Sequence, residues 1–213
     1  MIVLAIDTCL DVCAAALWED GAVRAACSEP MQRGHQERLG GLVAAVLAEA
    51  DTEPSAFDRI AVTVGPGSFT GVRVGLAFAK GLGLALGRPV AGVGVLEALA
   101  AGEPDDLVAA AVAGPREQVY LQLFSHGRPL MSPDCLPAEI AAARLAELAG
   151  GRPFALVGSG AEALAPAATG ARIVVRAAPD IAVVARLAAE TPEPIAPPRP
   201  LYLRAPDARP SAA

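Results

Sequence analysis

Between Val64 and Gly87 the chain reads VGPGSFTGVRVGLAFAKGLGLALG, and small residues recur every four positions at Gly71, Gly75, Ala79, Gly83 and Gly87. Residues four apart form a ridge that winds slowly around an α-helix. Each interior glycine costs on the order of 0.5–1 kcal/mol against alanine, so a helix holding several must be compensated by close packing along that ridge. Val72, Val74, Leu76, Phe78, Leu82, Leu84 and Leu86 spread around the rest of the circumference, leaving Arg73 and Lys80 on one polar line. A helix apolar nearly all round is buried on more than one side. Its own sheet accounts for one side, and a second chain is the natural candidate for the other.

The loop that opens this helix matches none of the common catalytic templates. A phosphate loop of the G-x4-G-K-[ST] type needs a lysine beside its last glycine, and here none appears until Lys80. Gly65, Gly67 and Gly71 are spaced G-x-G-x-x-x-G, one residue too long for a dinucleotide fingerprint. A G-x-S-x-G nucleophile elbow fails around Ser68, and neither His35 nor His126 stands in a context that marks it as a base. Gly65-Pro66-Gly67-Ser68 reads instead as a tight strand-to-helix turn, with Gly67 supplying a positive φ and Ser68 or Thr70 capping the first amides.

Hydrophobic periodicity places the rest. Ile2–Asp7 is an apolar strand ending in a carboxylate, and Val12–Trp18 and Ala22–Cys27 flank the turn signal Glu19-Asp20-Gly21. From His35, the residues Leu39, Leu42, Val43, Val46, Leu47 and Ala50 fall on one face of a helix. Opposite them stand Gly41, Ala44, Ala45 and Ala48, where a lone surface helix would carry charge. A strand at 60–64, the glycine helix at 70–86 and a strand at 90–95 complete a first unit over residues 1–104. A second pass over 105–190 offers strands at 107–113, 118–124, 154–157 and 172–175, with helices at 138–149 and 181–189. Two successive α/β halves are the expected architecture. Residues 191–213 hold seven of the nineteen prolines and should run extended along the surface, without helix.

Composition narrows the function. A net charge of −6 argues against a large autonomous nucleic-acid surface. The first apolar run has no preceding Lys or Arg and contains Asp7 and Asp11, unlike an export signal. No uninterrupted apolar run reaches membrane-spanning length, so the expectation is a cytoplasmic chain with no membrane partner. Cys9 and Cys13, spaced C-x3-C, are the only close cysteine pair, and with only His35 and His126 elsewhere they make a poor zinc set, so reduced, buried thiols are the expectation.

Asp7-Thr8, Arg33-Gly34-His35-Gln36-Glu37-Arg38-Leu39 and above all Gly65-Pro66-Gly67-Ser68-Phe69-Thr70-Gly71-Val72-Arg73-Val74-Gly75 resemble the TsaB (YeaZ) family. Gly92-Val93, Val119-Tyr120 and Pro200-Leu201-Tyr202-Leu203-Arg204 extend the likeness over almost the whole chain. The resemblance implies an actin-like, Hsp70-like two-lobed α/β fold of mixed sheets with helices. It also implies a non-catalytic subunit, without cofactor or metal, that dimerises with the paralogue TsaD for N6-threonylcarbamoylation of the adenosine beside the anticodon of tRNAs. The ATPase TsaE would join the complex, tRNA would be met indirectly, and a homodimer would be open to the isolated chain. The helices beginning at His35 and Thr70 would supply the docking side, through His35, Leu39, Leu42, Val46, Gly71, Val74, Gly75, Phe78, Ala79 and Leu82.

Two departures bear on the alternative reading, an ATP-dependent kinase or hydrolase of the actin-like superfamily. Where family members read Asp-Ala-Arg at the start of the second lobe, this chain reads Ala113-Gly114-Pro115-Arg116. A methyl then stands where a magnesium-holding carboxylate would, and Asp7 alone lacks the convergent oxygens magnesium prefers. His35 likewise has no second histidine near it on the helix, as the paralogue's metal site would need. A peptidase reading finds no paired metal ligands and no nucleophile with a base.

Overall fold

The computed structural model describes residues 1–204. In chain order the elements are β1 (Ile2–Asp7), β2 (Val12–Glu19), β3 (Ala22–Pro30), α1 (His35–Glu49), β4 (Arg59–Thr63), α2 (Phe69–Leu86), β5 (Val90–Val93) and α3 (Val95–Ala101). There follow β6 (Leu107–Ala113), β7 (Gln118–Ser125), β8 (Arg128–Pro129), β9 (Asp134–Pro137), α4 (Ala138–Ala149), β10 (Phe154–Val157), α5 (Ala161–Leu164), β11 (Ala171–Val174) and α6 (Ile181–Glu190).

Two mixed sheets result, and their orders repeat. The first runs β3-β2-β1-β4-β5 and the second β11-β10-β6-β7-β8, with β9 also paired to β7. In each, the first strand lies antiparallel to the second and parallel to the strand that follows a helix, as in the β1–β4 and β6–β10 pairs. The alternation of buried residues explains the layers. Leu4, Ile6, Ala15 and Leu17 face one way and join Leu39, Leu42, Val46 and Leu76 of α1 and α2. Val3, Ala5, Ala14 and Ala16 face the other way and are covered by Ile181, Val184, Ala185 and Ala188 of α6. The second sheet buries Leu121, Leu123 and Leu156 against Leu145 of α4 and Leu164 of α5.

Strands β8 and β9 and helix α5 have no counterpart in the sequence expectation, and two further elements differ from it. The strand expected through Val95 stops at Val93, and Val95–Ala101 forms α3, buried between β6, β7 and α6. Its run of seven apolar-rich residues is too short for periodicity to separate helix from strand. The other is α6: although it follows the second sheet in sequence, it packs on β1, β2, β4 and β5 of the first. Arg59, in β4 and 7% exposed, fixes it there, donating to the Ala188 carbonyl and, at 2.6 Å, to the Thr191 carbonyl. A guanidinium at the end of a helix satisfies carbonyls the helix itself leaves open.

By length and mean hydropathy of 1.3, α2 would suffice to cross a membrane, yet it lies along β4 and carries Arg73 and Lys80. All four thiols are free: Cys9 and Cys13 are buried as expected, whereas Cys27 and Cys135 are half-buried.

Candidate partner interface and interlobe cleft

The turn into α2 brings the first lobe's loops together. Ser68 caps the helix, its hydroxyl accepting from the Gly71 amide at 3.3 Å, and Gly87 closes it with φ 64°. The positive φ expected at Gly67 belongs to Gly65, at 104°. Gly67 is required for a different reason, since a Cβ there would lie 2.2 Å from the Cys9 carbonyl oxygen.

The same test settles which way the glycine ridge faces. A Cβ at Gly71 would sit 2.0 Å from the Thr8 carbonyl oxygen, at Gly75 2.6 Å from Thr8 Oγ1, and at Gly83 2.5 Å from Val90 Cγ2. Thr8 Oγ1 also donates to the Gly71 carbonyl at 2.7 Å, so strand end and helix are in direct contact. Gly71, Gly75 and Ala79, expected on the docking side, therefore face inward instead. Gly71, Gly75 and Ala79 are buried against the protein's own first sheet. On α1, Leu39, Leu42 and Val46 are fully buried in the core, and His35, 8% exposed, holds its Nε2 3.2 Å from the Leu10 carbonyl oxygen. Val74, Phe78 and Leu82 are half-buried at the edge of that core.

What remains outside is nevertheless uncharged over a wide area. On α1, Gly40, Gly41, Ala44, Ala45 and Ala48 are exposed, and on α2, Ala77, Gly81, Leu84 and Ala85. Leu84 is 87% exposed and Phe69 43%. The two helices meet where a Cβ at Gly40 would touch the Phe78 ring at 3.9 Å. Between them lies a groove of about 510 Å³ with Leu39 at its base and Phe69, Val74, Ala77 and Phe78 along it, rimmed by Gln36, Thr70 and Arg73. Large exposed apolar patches with polar rims are the signature of association surfaces.

A second concavity, about 450 Å³, opens between the lobes, with Cys9, Asp11, Gly67 and Ser68 on one wall and Ala113, Tyr120, Ser159 and Arg176 on the other. In an actin-like fold this is where a magnesium nucleotide would lie, and the donor set does not suit one. Ala113 is exposed on the cleft wall, its amide donating to Ser159 Oγ at 3.1 Å, and offers no carboxylate. Asp7 is fully buried behind the wall. Its Oδ1 accepts from the Thr63 hydroxyl at 2.6 Å and the Cys9 amide at 2.9 Å, while Oδ2 has no partner among the described residues. Burial pushes this carboxyl above the ordinary aspartate range, against the opposing hydrogen bond from Thr63. The neighbouring Cys9 thiol is raised by the same burial and by the Asp7 charge, so it is not a thiolate nucleophile. Among the described residues no three His, Cys, Asp or Glu side chains come together as a metal site.

Two lobes of repeated strand order define the actin-like class. The activator component A of (R)-2-hydroxyglutaryl-CoA dehydratase from Acidaminococcus fermentans shares this fold at a TM-score of 0.55 and 11% identity, over 88% of this chain and 97% of that one. A much closer match is YeaZ from Pseudomonas aeruginosa, with a TM-score of 0.78 and 31% identity over 88% of this chain and 90% of that one. The family model described as TsaD, tRNA N6-adenosine threonylcarbamoyltransferase, matches residues 28–149. The tRNA threonylcarbamoyladenosine biosynthesis protein TsaB of Escherichia coli is 41% identical over 102 residues, 48% of this chain and 44% of that protein. TsaB of Bacillus subtilis is 35% identical over 62% of this chain and 58% of its own length. The chain thus matches about half the length of these curated relatives, and it belongs to the TsaB (YeaZ) family.

Proposed function

We propose that this chain is a non-catalytic subunit that pairs with a TsaD-type transferase and supports threonylcarbamoylation of the adenosine beside the anticodon of tRNAs. The observation that carries the reading is the uncharged outer face of α1 and α2, with Leu84 and Phe69 left in solvent. The segment that matches the transferase family model, residues 28–149, contains both helices. A partner built on the same plan carries an equivalent helix pair, and like packs on like across a pseudo-two-fold axis, as in an isologous dimer. The docking residues are then Val74 and Phe78 in the groove and Leu82 one turn further along α2, with the exposed alanines and glycines around them. His35, Leu39, Leu42, Val46, Gly71, Gly75 and Ala79 support that face from beneath.

Non-catalytic status is supported by the cleft chemistry: Asp7 is sealed in the core, Ala113 replaces an oxygen donor and Cys9 is held as a thiol. TsaE would reach the chain through the assembled complex and tRNA would be gripped mainly by partners, consistent with the net charge of −6. The same face would let the isolated chain form a homodimer when the transferase is scarce. The cytoplasm, where tRNA is modified, is the corresponding location.

The test is co-elution. Purified chain and the TsaD of the same organism, mixed at about 10 μM, should leave a sizing column as one species, since an interface of roughly 800 Å² per partner holds at that concentration. Separate elution of two folded proteins would overturn the assignment.

A further inference from the structure

The Pro-rich segment beyond α6 is tied down at points that the docking function has not used. From Thr191 it passes the edge of the first sheet and reaches the start of α2. Leu201 donates its amide to the Val64 carbonyl at 2.8 Å, extending the hydrogen bonding of the β4 end. Two glycines make room for it: a Cβ at Gly92 would lie 2.7 Å from Pro198 Cβ, and one at Gly65 would lie 3.0 Å from the Leu201 carbonyl oxygen. The strap therefore takes this path only because neither position carries a side chain.

At its tip, Tyr202 lies against the first turn of α2. Its ring centroid is 5.5 Å from that of Phe69, tilted by 31°, and its hydroxyl accepts from Arg73 Nε at 3.0 Å. The Arg73 guanidinium carbon in turn sits 3.6 Å from the centre of the Phe69 ring. The three side chains form a closed stack of guanidinium, phenyl and phenol. Phe69 and Arg73 both line the α1/α2 groove, and Tyr202 is itself 43% exposed. A half-exposed tyrosine locked beside an apolar groove, with a cation at its side, has the composition that dominates binding energy at protein interfaces. On a chain of net charge −6 this rim is cationic at Arg73, which suits an apolar ridge flanked by a carboxylate.

The geometry points to Tyr202 as a docking residue of the same interface: it packs on Phe69 and Arg73, which line the α1/α2 groove, and holds both in the conformation the transferase subunit meets. This rests on the partner reading above and extends it to a segment remote in sequence from both helices. The strap is anchored by its backbone at Leu201 and presents its side chain at Tyr202, a division of labour that separates its folding role from its binding role.

The experiment measures affinity for the TsaD of the same organism by calorimetric titration, using the full chain and its Tyr202→Ala and Tyr202→Phe variants, with thermal unfolding of each variant alone. Tyr202→Ala should weaken binding at least about tenfold, the threshold for an interface residue of consequence. Tyr202→Phe, which keeps the ring and loses only the hydroxyl, should stay within about threefold. Unfolding midpoints should shift by less than about 2 °C for this half-exposed side chain. Equal affinity of Tyr202→Ala and parent would overturn the proposal while leaving the partnership intact. Absence of binding by the parent would overturn the partnership itself. A variant that binds the transferase normally but lowers the complex's affinity for tRNA would replace the protein contact with an RNA contact, and so also overturn it.

Discussion

Gly75 and Gly81 lie on the same helix and should respond to alanine in opposite directions. In α2 both substitutions gain helix propensity, about 0.5–1 kcal/mol. At Gly81 nothing lies within 4 Å of the added methyl, so the gain stands alone. At Gly75 the methyl would meet Thr8 Oγ1 at 2.6 Å and Val62 Cγ2 at 3.3 Å. Thr8 is 1% exposed and bonded to the Gly71 carbonyl, so it cannot swing aside without losing that hydrogen bond. Overpacking of about 1–3 kcal/mol outweighs the propensity gain and leaves Gly75→Ala about 1–2 kcal/mol less stable than the parent. The two variants then differ by about 2 kcal/mol, or about 4–8 °C in midpoint for a domain of this size. Thermal unfolding by circular dichroism, checked by urea midpoints, reads the difference. If Gly75→Ala is stabilised as much as Gly81→Ala, α2 does not lie on Thr8 as described and the inward ridge is refuted.

Other consequences follow from the buried polar groups. Arg59→Met should lower stability by about 2–3 kcal/mol in urea unfolding, because the Ala188 and Thr191 carbonyls lose a charged donor; an unchanged midpoint would mean that α6 is held by packing alone. Burial raises the Asp7 pKa, so the folded state holds this proton more tightly than the unfolded chain. The resulting stabilisation is complete below the unfolded value near 3.8 and is lost as pH rises through the raised folded value. Asp7→Asn removes the dependence, so the parent should lose stability relative to the variant as pH rises above about 3.8; a difference that stays flat with rising pH would contradict it.

Most of the fold was legible because burial writes a period into the chain. The α1 stripe of Leu39, Leu42, Val43 and Val46 is buried as a face, and the strands of both sheets fall where apolar runs end in turn residues. The direction of the glycine ridge was not legible, because a close approach to Thr8 of the same chain and a close approach to a foreign backbone demand the same small residues. The docking surface we propose lies instead on the stripe of Ala77, Gly81, Leu84 and Ala85, which is exposed where a lone surface helix would carry charge. Periodicity also says nothing of which sheet a helix covers, which is why α6 and the boundary expected at residue 190 carried no hint of β1 and β2. Tyr202 could be recognised only as part of a family motif, since its contact with Phe69 joins residues 133 positions apart. Of the tail expected to run extended over residues 191–213, residues 205–213 lie outside the described residues.

The central claim is that the α1/α2 outer face receives the transferase, and Ala77→Glu tests it most directly. Ala77 lines the groove and is exposed, and a glutamate there finds Arg73 and Lys80 within one helical turn, so the isolated variant should unfold like the parent. In the complex that carboxylate would be taken out of water against an apolar surface, a cost of several kcal/mol. Titration with TsaD should show affinity reduced at least about a hundredfold, equivalent to roughly 2.7 kcal/mol. Parental affinity in a normally folded Ala77→Glu variant would place the partner elsewhere and contradict the account.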